Sequence, residues 1–216
     1  MRAARATAAA RSDDRRAAML AIARAAFLRD GYAAASVSEI AAKVGGSKAT
    51  LYSYFPSKKD LFAAVIREEV QQKFAPLFEM DETQGDARTV LERFARRFLD
   101  LLLTEDTIAF YRLVVAESAR FPEVGQAAYQ IGVQHGLDHL AGYFVAAMER
   151  GELRRAEASV AVAQFLDLCA GELHRKRLFG VVGADDREEV EKQARNAVAT
   201  FLAAYGADEP SRAAHA

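Results

Sequence analysis

The residues with chemistry to offer gather near the amino end of the chain. Leu51 and Phe55 are four apart and mark the packed side of a short helix, which turns Lys48, Ala49, Ser53 and Tyr52 outward. That outward face is small and polar, and such a helix can sink into a groove about 12 Å wide. Lys58 follows Ser57 and Pro56 at the start of the next helix, where an ammonium and unpaired backbone donors together suit a phosphate. The charge distribution agrees. Residues 1–60 hold 11 Lys and Arg against 5 Asp and Glu, a net charge of +6, and the remainder carries −7. A basic head on an acidic body fits a polyanion-binding module joined to a domain with another task.

Other reactive side chains point less clearly. His135 and His139 stand four apart with Asp138 between them, the spacing at which two imidazoles share a metal. No third ligand is marked by spacing, and solvated or hydrogen-bonded histidines give the same pattern, so no metal is assigned. Cys169 is the one cysteine, which excludes an internal disulfide and points to a reducing cytoplasm. It reads either as a redox sensor or as a buried apolar residue, and the lack of a cation within a helical turn before His174 favours packing. No phosphate-cradling glycine loop, nucleophile elbow or metal signature occurs, so the spacing supports no enzyme and no cofactor. No stretch of 18 apolar residues lacks charge, which excludes a membrane-spanning helix.

The elements that must position these residues are helical throughout, an all-α chain rich in Ala, Leu, Arg and Glu. A first helix is expected from about Asp13 to Asp30, with Gly31 as its stop. The residues before it, 1–16, read as a disordered basic arm or as an arm that touches phosphates. Ser36-Val37-Ser38-Glu39 is a capping box opening a two-turn helix with Ile40, Ala41 and Val44. Gly45-Gly46 ends that helix, Ser47 caps the next through Tyr54, and Ser57-Lys58-Lys59-Asp60 is a second capping box. Two short helices around a glycine turn match the helix-turn-helix plan, although a purely structural helix pair shows the same caps.

Residues from about Arg15 to Phe62 resemble the DNA-binding domain of the TetR family. Most of the match lies in Ser36 to Ala41, in Gly46-Ser47-Lys48-Ala49-Thr50-Leu51-Tyr52-Ser53-Tyr54-Phe55 and in Ser57-Lys58. Gly46 departs from the family, which usually carries a β-branched residue there, and Ser53 stands where larger residues are common. The resemblance implies that Ser38, Lys48 and Ala49 lie near base edges of duplex DNA. It implies too that Ser36, Thr50, Tyr52, Tyr54 and Lys58 contact phosphates or fix the approach, Thr50 being open to either role, and Ser47 is counted with them as a DNA-binding residue.

Beyond a polar loop from Met80 to Asp86, glycine, proline and charge place helices at about 86–103, 106–119, 122–150, 157–179 and 185–205, about nine helices in all. This divides the chain into a helix-turn-helix domain at 13–73 and a helical domain at 74–208. The stretch from Phe110 to Pro122 with Gly151-Glu152-Leu153 resembles the AefR-like subgroup of TetR regulators. That resemblance implies a repressor acting on a palindromic operator as a homodimer, paired through the last two helices, with an effector cavity in the body. Phe98, Leu102, Phe110, Tyr111, Tyr143 and Phe165 offer an apolar lining, with Glu117 or His139 as a polar anchor, which fits a small apolar or amphipathic effector. Glu172 and His174 are further polar groups in otherwise apolar helices, where either cavity lining or surface placement fits the pattern. Val190, Ala194, Ala197, Val198, Phe201 and Tyr205 share one face of the last helix and are the candidate dimer interface. The glycines at 125, 132, 136 and 142 either leave room near a ligand or admit close helix packing. The alternative for the body is a dimerisation device with no ligand.

Overall fold

The protein is described by a computed structural model covering residues 2–78, 85–182 and 187–207. Most of the expected Met80–Asp86 loop, and the side chain of His135, lie outside the described residues. The elements are α1 (Arg2–Ala34), α2 (Val37–Lys43), α3 (Lys48–Tyr54), α4 (Lys58–Glu69), α5 (Ala75–Phe78), α6 (Ala87–Leu102), α7 (Glu105–Ser118), α8 (Pro122–Ala128), α9 (Gln134–Glu149), α10 (Ala158–Leu178) and α11 (Arg187–Tyr205). A π-helical turn, Val70–Phe74, carries α4 into α5, and another, Tyr129–Val133, carries α8 into α9. The described residues therefore form nine rods. One isolated antiparallel bridge pairs Leu153 with Gly206.

The helix ends follow their caps. Ser36, Ser47, Ser57 and Asp86 each accept a backbone N–H three residues on, which satisfies a donor the helix itself leaves open. α1 starts at Arg2, before the expected Asp13, because the alanine-rich segment has high helix propensity; among the residues whose burial is described, its buried stripe begins at Met19. At its other end Gly31 takes φ 80° and ψ 166°, so the regular helix stops where the glycine predicts.

The chain divides into two compact units. The first comprises residues up to Gln72 together with Ala109–Gly132. Its core joins Met19, Leu20, Phe27 and Tyr32 of α1 to Ile40, Leu51, Phe55 and to Leu61, Phe62, Val65 and Ile66 of α4, all buried. Phe62 meets Phe27 edge-on at 5.1 Å and stacks on Phe110 at 6.0 Å, which ties α1, α4 and α7 to one aromatic centre. Arg24 and Glu69 close the α1–α4 seam with an ion pair of 2.6 Å. Gly125 settles one earlier alternative: a Cβ there would stand 2.8 Å from Ser118 Oγ, so this glycine serves close packing of α8 on α7.

The second unit comprises Lys73–Ile108 and the chain from Val133 onward. Here α6, α9, α10 and α11 enclose a phenylalanine cluster. Phe201 lies 5.0 Å from Phe165 and 5.2 Å from Phe144, and Phe165 lies 6.0 Å from Phe94. This placement corrects the expected dimer interface. Ala194, Ala197, Val198 and Phe201 are at most 2% exposed and Tyr205 is 8% exposed, with Val190 packed at the edge of the same core. The apolar stripe of α11 is covered by its own chain, so it cannot also face a partner.

α10 is broken at Gly171, with φ +48° and ψ −146°, where the sequence reading placed an unbroken helix. The Gln193 amide on α11 donates to the Leu168 carbonyl at 2.8 Å and to the Cys169 carbonyl at 3.4 Å, filling the interrupted ladder. A Cβ at 171 would collide with that amide. Beyond the break, Arg177 donates twice to the Leu103 carbonyl, at 3.1 and 3.0 Å, and pins the carboxyl end of α6.

Two outcomes follow for stability. Phe201→Ala should cost about 3–5 kcal/mol in urea unfolding, since it removes the ring at the centre of the second core. Half-buried His174 is held below its ordinary 6.5 by burial, with Arg175 adding to the effect. The unfolded chain therefore takes up a proton first as pH falls. The stability that neutral His174 supports is full above 6.5 and lost as pH drops through the lower folded value. Urea midpoints should fall between about pH 7 and pH 5, and His174→Asn should flatten that dependence.

Candidate nucleic-acid interface

The turn between α2 and α3 is built by two glycines with different reasons to be glycine. Gly45 has φ +71°, and the N–H groups of Gly45 and Gly46 return to the Ala42 and Ala41 carbonyls, both at 3.0 Å, closing the end of α2. A Cβ on Gly45 would meet nothing within 4 Å, so conformation alone demands glycine there. Gly46 lacks the left-handed φ, and a Cβ on it would stand 3.2 Å from a guanidinium nitrogen of Arg15 and 3.6 Å from Thr50. Space is what it supplies.

Ser47 then opens α3. Its hydroxyl accepts the Thr50 N–H at 3.1 Å and lies 3.0 Å from the Thr50 hydroxyl, while Ser53 Oγ donates to the Thr50 carbonyl at 2.7 Å. Leu51 and Phe55 are buried, and Ser47, Lys48, Ala49, Tyr52 and Ser53 are exposed together on the opposite side. Lys48 Nζ lies 5.6 Å from the Tyr52 ring centre. Thr50 and Tyr54 are half-buried at the edges of this face. Ser36 caps α2 and Ser38 is exposed on its first turn. The residues nominated on α2 and α3 thus share one capped scaffold.

Lys58 differs from them. Its ammonium donates to the Ala33 carbonyl at 2.9 Å and lies 5.1 Å from the Tyr32 ring centre, and burial pushes its pKa down against the opposing pull of Glu117. Glu117 itself approaches Gly31 so closely that a Cβ at 31 would stand 2.6 Å from its carboxylate oxygen. Tyr32 also packs edge-on against Phe62 and Phe121, at 5.2 Å each. Lys58 is therefore part of the joint between the end of α1 and the start of α4, a task its position in a capping box did not announce. Arg15 and Arg16 of α1 close the basic segment 1–16 that the sequence offers either as a disordered arm or as one that touches phosphates. Both are exposed, Arg15 beside Gly46 and Arg16 with its guanidinium 5.5 Å from the Phe55 ring centre.

The effector-pocket candidates are divided between the units. Tyr143 and Phe165 are buried in the second core with Phe98 packed against it, Leu102 is buried at the end of α6 outside that cluster, and His139 is exposed. Phe110, Tyr111 and Glu117 belong to the first unit, and Tyr111 is 42% exposed. A groove of about 350 Å³ on the second unit is lined by Val145, Met148, Glu149, Arg155 and Ala156, none of them nominated. Glu172 is exposed and pairs with Lys176 at 2.9 Å. Cys169 is fully buried, and burial pushes its thiol far up. Among the described residues no group of three His, Cys, Asp or Glu could hold a metal, and no helix is long and apolar enough to cross a membrane.

Comparison with known proteins follows this division of labour. Residues 19–65 match the family described as bacterial regulatory proteins, tetR family, and residues 89–207 match the AefR-like transcriptional repressor C-terminal domain. The structure described as the flavonoid-responsive regulator FrrA is similar at TM-score 0.81 with 30% identity, over 91% of this chain and 100% of that one. A TetR-family regulator from Mesorhizobium loti MAFF303099 is similar at TM-score 0.80 with 28% identity, over 91% of this chain and 98% of that one. The HTH-type transcriptional activator FasR of Mycolicibacterium smegmatis is 34% identical over 102 residues. The matched stretch is 47% of this chain and 46% of FasR, so the chain spans under half the length of that relative. With a capped helix-turn-helix at its amino end and an AefR-like helical domain behind it, this chain belongs to the TetR family of DNA-binding transcriptional regulators.

Proposed function

We propose that the protein is a cytoplasmic repressor that grips a near-palindromic operator as a homodimer and is released by a small apolar or amphipathic effector. The observation that carries this reading is the exposed face of α3, where Ser47, Lys48, Ala49, Tyr52 and Ser53 stand opposite buried Leu51 and Phe55. A two-fold dimer would set two such helices into successive major grooves, about 34–36 Å apart. In this reading Lys48 reads a base edge, with Ser38 and Ala49 close by. Ser36, Ser47, Thr50, Tyr52 and Tyr54 hold phosphates or set the approach, and Lys58 steadies the joint behind them.

The dimer is assigned to the outward side of α10 and α11, since their inward side is the core. Phe179 and Val181, 81% and 68% exposed, are the apolar groups in that region with most area to cover. The effector is assigned to the second domain on the strength of its aromatic content, and a flavonoid-responsive relative fits a planar amphipathic ligand. Repression is favoured by the AefR-like match; the name of the FasR relative supports activation as the second reading. A ligand need supply only about 1–3 kcal/mol of preference for the unbound form to loosen DNA 5- to 150-fold.

Lys48→Ala should weaken binding to a selected duplex by about 1–3 kcal/mol and relax base preference without changing the thermal midpoint. Lys58→Ala should lower the midpoint and weaken all sequences alike; the opposite pattern would reverse the two assignments. In sedimentation the wild type should be a dimer, and Phe179→Glu with Val181→Glu should yield folded monomers. For the effector, a panel of flavonoids and other amphipathic aromatics is screened by thermal shift, and each hit is titrated against bound duplex. A compound that stabilises the protein yet leaves DNA affinity unchanged would refute release. Loss of the gene should raise transcription from a promoter carrying the selected site, and a fall would establish the activator reading.

A further inference from the structure

We propose that the break in α10 at Gly171 aims the segment that follows it, residues 172–182, at a second copy of this chain, and that Gln193 and Arg177 are the positioning residues that hold the aim. The proposal rests on the dimer reading given above and names what shapes its surface.

An unbroken α10 would satisfy its own carbonyls, so a break in it has a cost that other groups must offset. Gly171 takes φ +48° and ψ −146°, a setting open in practice to glycine alone. The Gln193 amide, reaching across from α11, donates to the two carbonyls of Leu168 and Cys169 just before the break, at 2.8 and 3.4 Å. Beyond it, the Arg177 guanidinium donates twice to the Leu103 carbonyl, at 3.1 and 3.0 Å, and once to the Val182 carbonyl at 3.2 Å. The segment is thus fastened at its root to α11 and along its length to the carboxyl end of α6.

Its tip is ordered as well. Gly180 has φ +72°, its N–H donates to the Arg177 carbonyl at 3.1 Å, and the Val181 N–H donates to the Lys176 carbonyl at 2.9 Å, the paired bonds of a Schellman turn. Such a turn commonly packs its last residue on an apolar side chain at one of the two positions that Arg175 and Lys176 occupy here. Val181 is left 68% exposed and Phe179 81%, the two most exposed large apolar side chains among the described residues. A turn so firmly held and so bare is preorganised for a partner. Charge selects a second copy. Arg175 is exposed beside Lys176 on the segment, Glu172 is exposed at its root, and Glu188 and Glu189 are exposed on the first turn of α11. The Lys176 pKa is raised by Glu172 and, to a smaller degree, by Glu189, so the two signs lie together. A patch with both signs around an apolar pair is complementary to itself across a two-fold axis, whereas a patch of one sign would repel its own copy.

The test is sedimentation of the full chain over a concentration series. Gln193→Met keeps the length of the side chain but removes its donors, and Arg177→Met removes the second fastening; each should stay folded and raise the dimer dissociation constant about tenfold or more. Gln193→Lys, which still donates, should stay near the wild type. Phe201→Leu loosens the same core away from the segment and should leave the constant within about threefold. On a Phe179→Ala background Gln193→Met should add little, because it acts through that ring. Wild-type constants in both methionine variants, an equal loss in Gln193→Lys or Phe201→Leu, or full additivity with Phe179→Ala would each overturn the proposal and leave the dimer standing. Should Gln193→Met fail to fold by circular dichroism, Arg177→Met decides alone. A wild type that is monomeric throughout, or a dimer that Phe179→Ala leaves intact, would sink the dimer reading and this proposal with it.

Discussion

A helix of seven residues cannot hold itself in water, because the cost of nucleating the first turn exceeds what two turns return. α3 is that short, and so is α2. Much of the first unit answers this constraint. Serine caps set the starts of α2, α3 and α4, and Gly45 closes the end of α2. Leu51 and Phe55 then lay α3 on a core founded on Met19, Phe27 and Phe62. The long helices α1 and α4 act as the base on which the two turns of α3 are presented. The aromatic contacts of Phe62 with Phe27, Tyr32 and Phe110 hold that base together.

The same physics explains what could be read from the amino-acid order alone. Caps and glycine stops are local, so Ser36, Ser47, Ser57 and Gly31 marked their boundaries without reference to the rest of the fold. Apolar periodicity is local too, but it says only that a face is covered and not by what. The stripe from Val190 to Tyr205 was read as a surface for a second copy, and it is instead covered by α6, α9 and α10 of the same unit. Only a glycine inside a helical run marks the break at Gly171, because the Gln193 amide that fills the interrupted ladder lies on another helix. The π-helical turn at Val70–Phe74 has no glycine to announce it, whereas Gly132 lies inside the turn at Tyr129–Val133.

The candidate site divides in the same way. The exposed face of α3 was legible because it is the complement of Leu51 and Phe55. Lys58 was legible as a cation at a helix start, yet its donation to the Ala33 carbonyl and its place over Tyr32 depend on a residue 25 positions away. The effector candidates were chosen for aromatic character, and in this fold aromatic character first serves the two cores.

The central claim is that α3 enters the major groove and that Lys48 reads a base there. Guanine presents N7 and O6 on that groove, so replacing guanines of the selected duplex one at a time with 7-deazaguanine removes an acceptor without touching the minor groove. One guanine in each half-site should be found at which the replacement weakens the wild type and has no further effect on Lys48→Ala. Equal losses in the two proteins, or no sensitive guanine anywhere in the duplex, would contradict it.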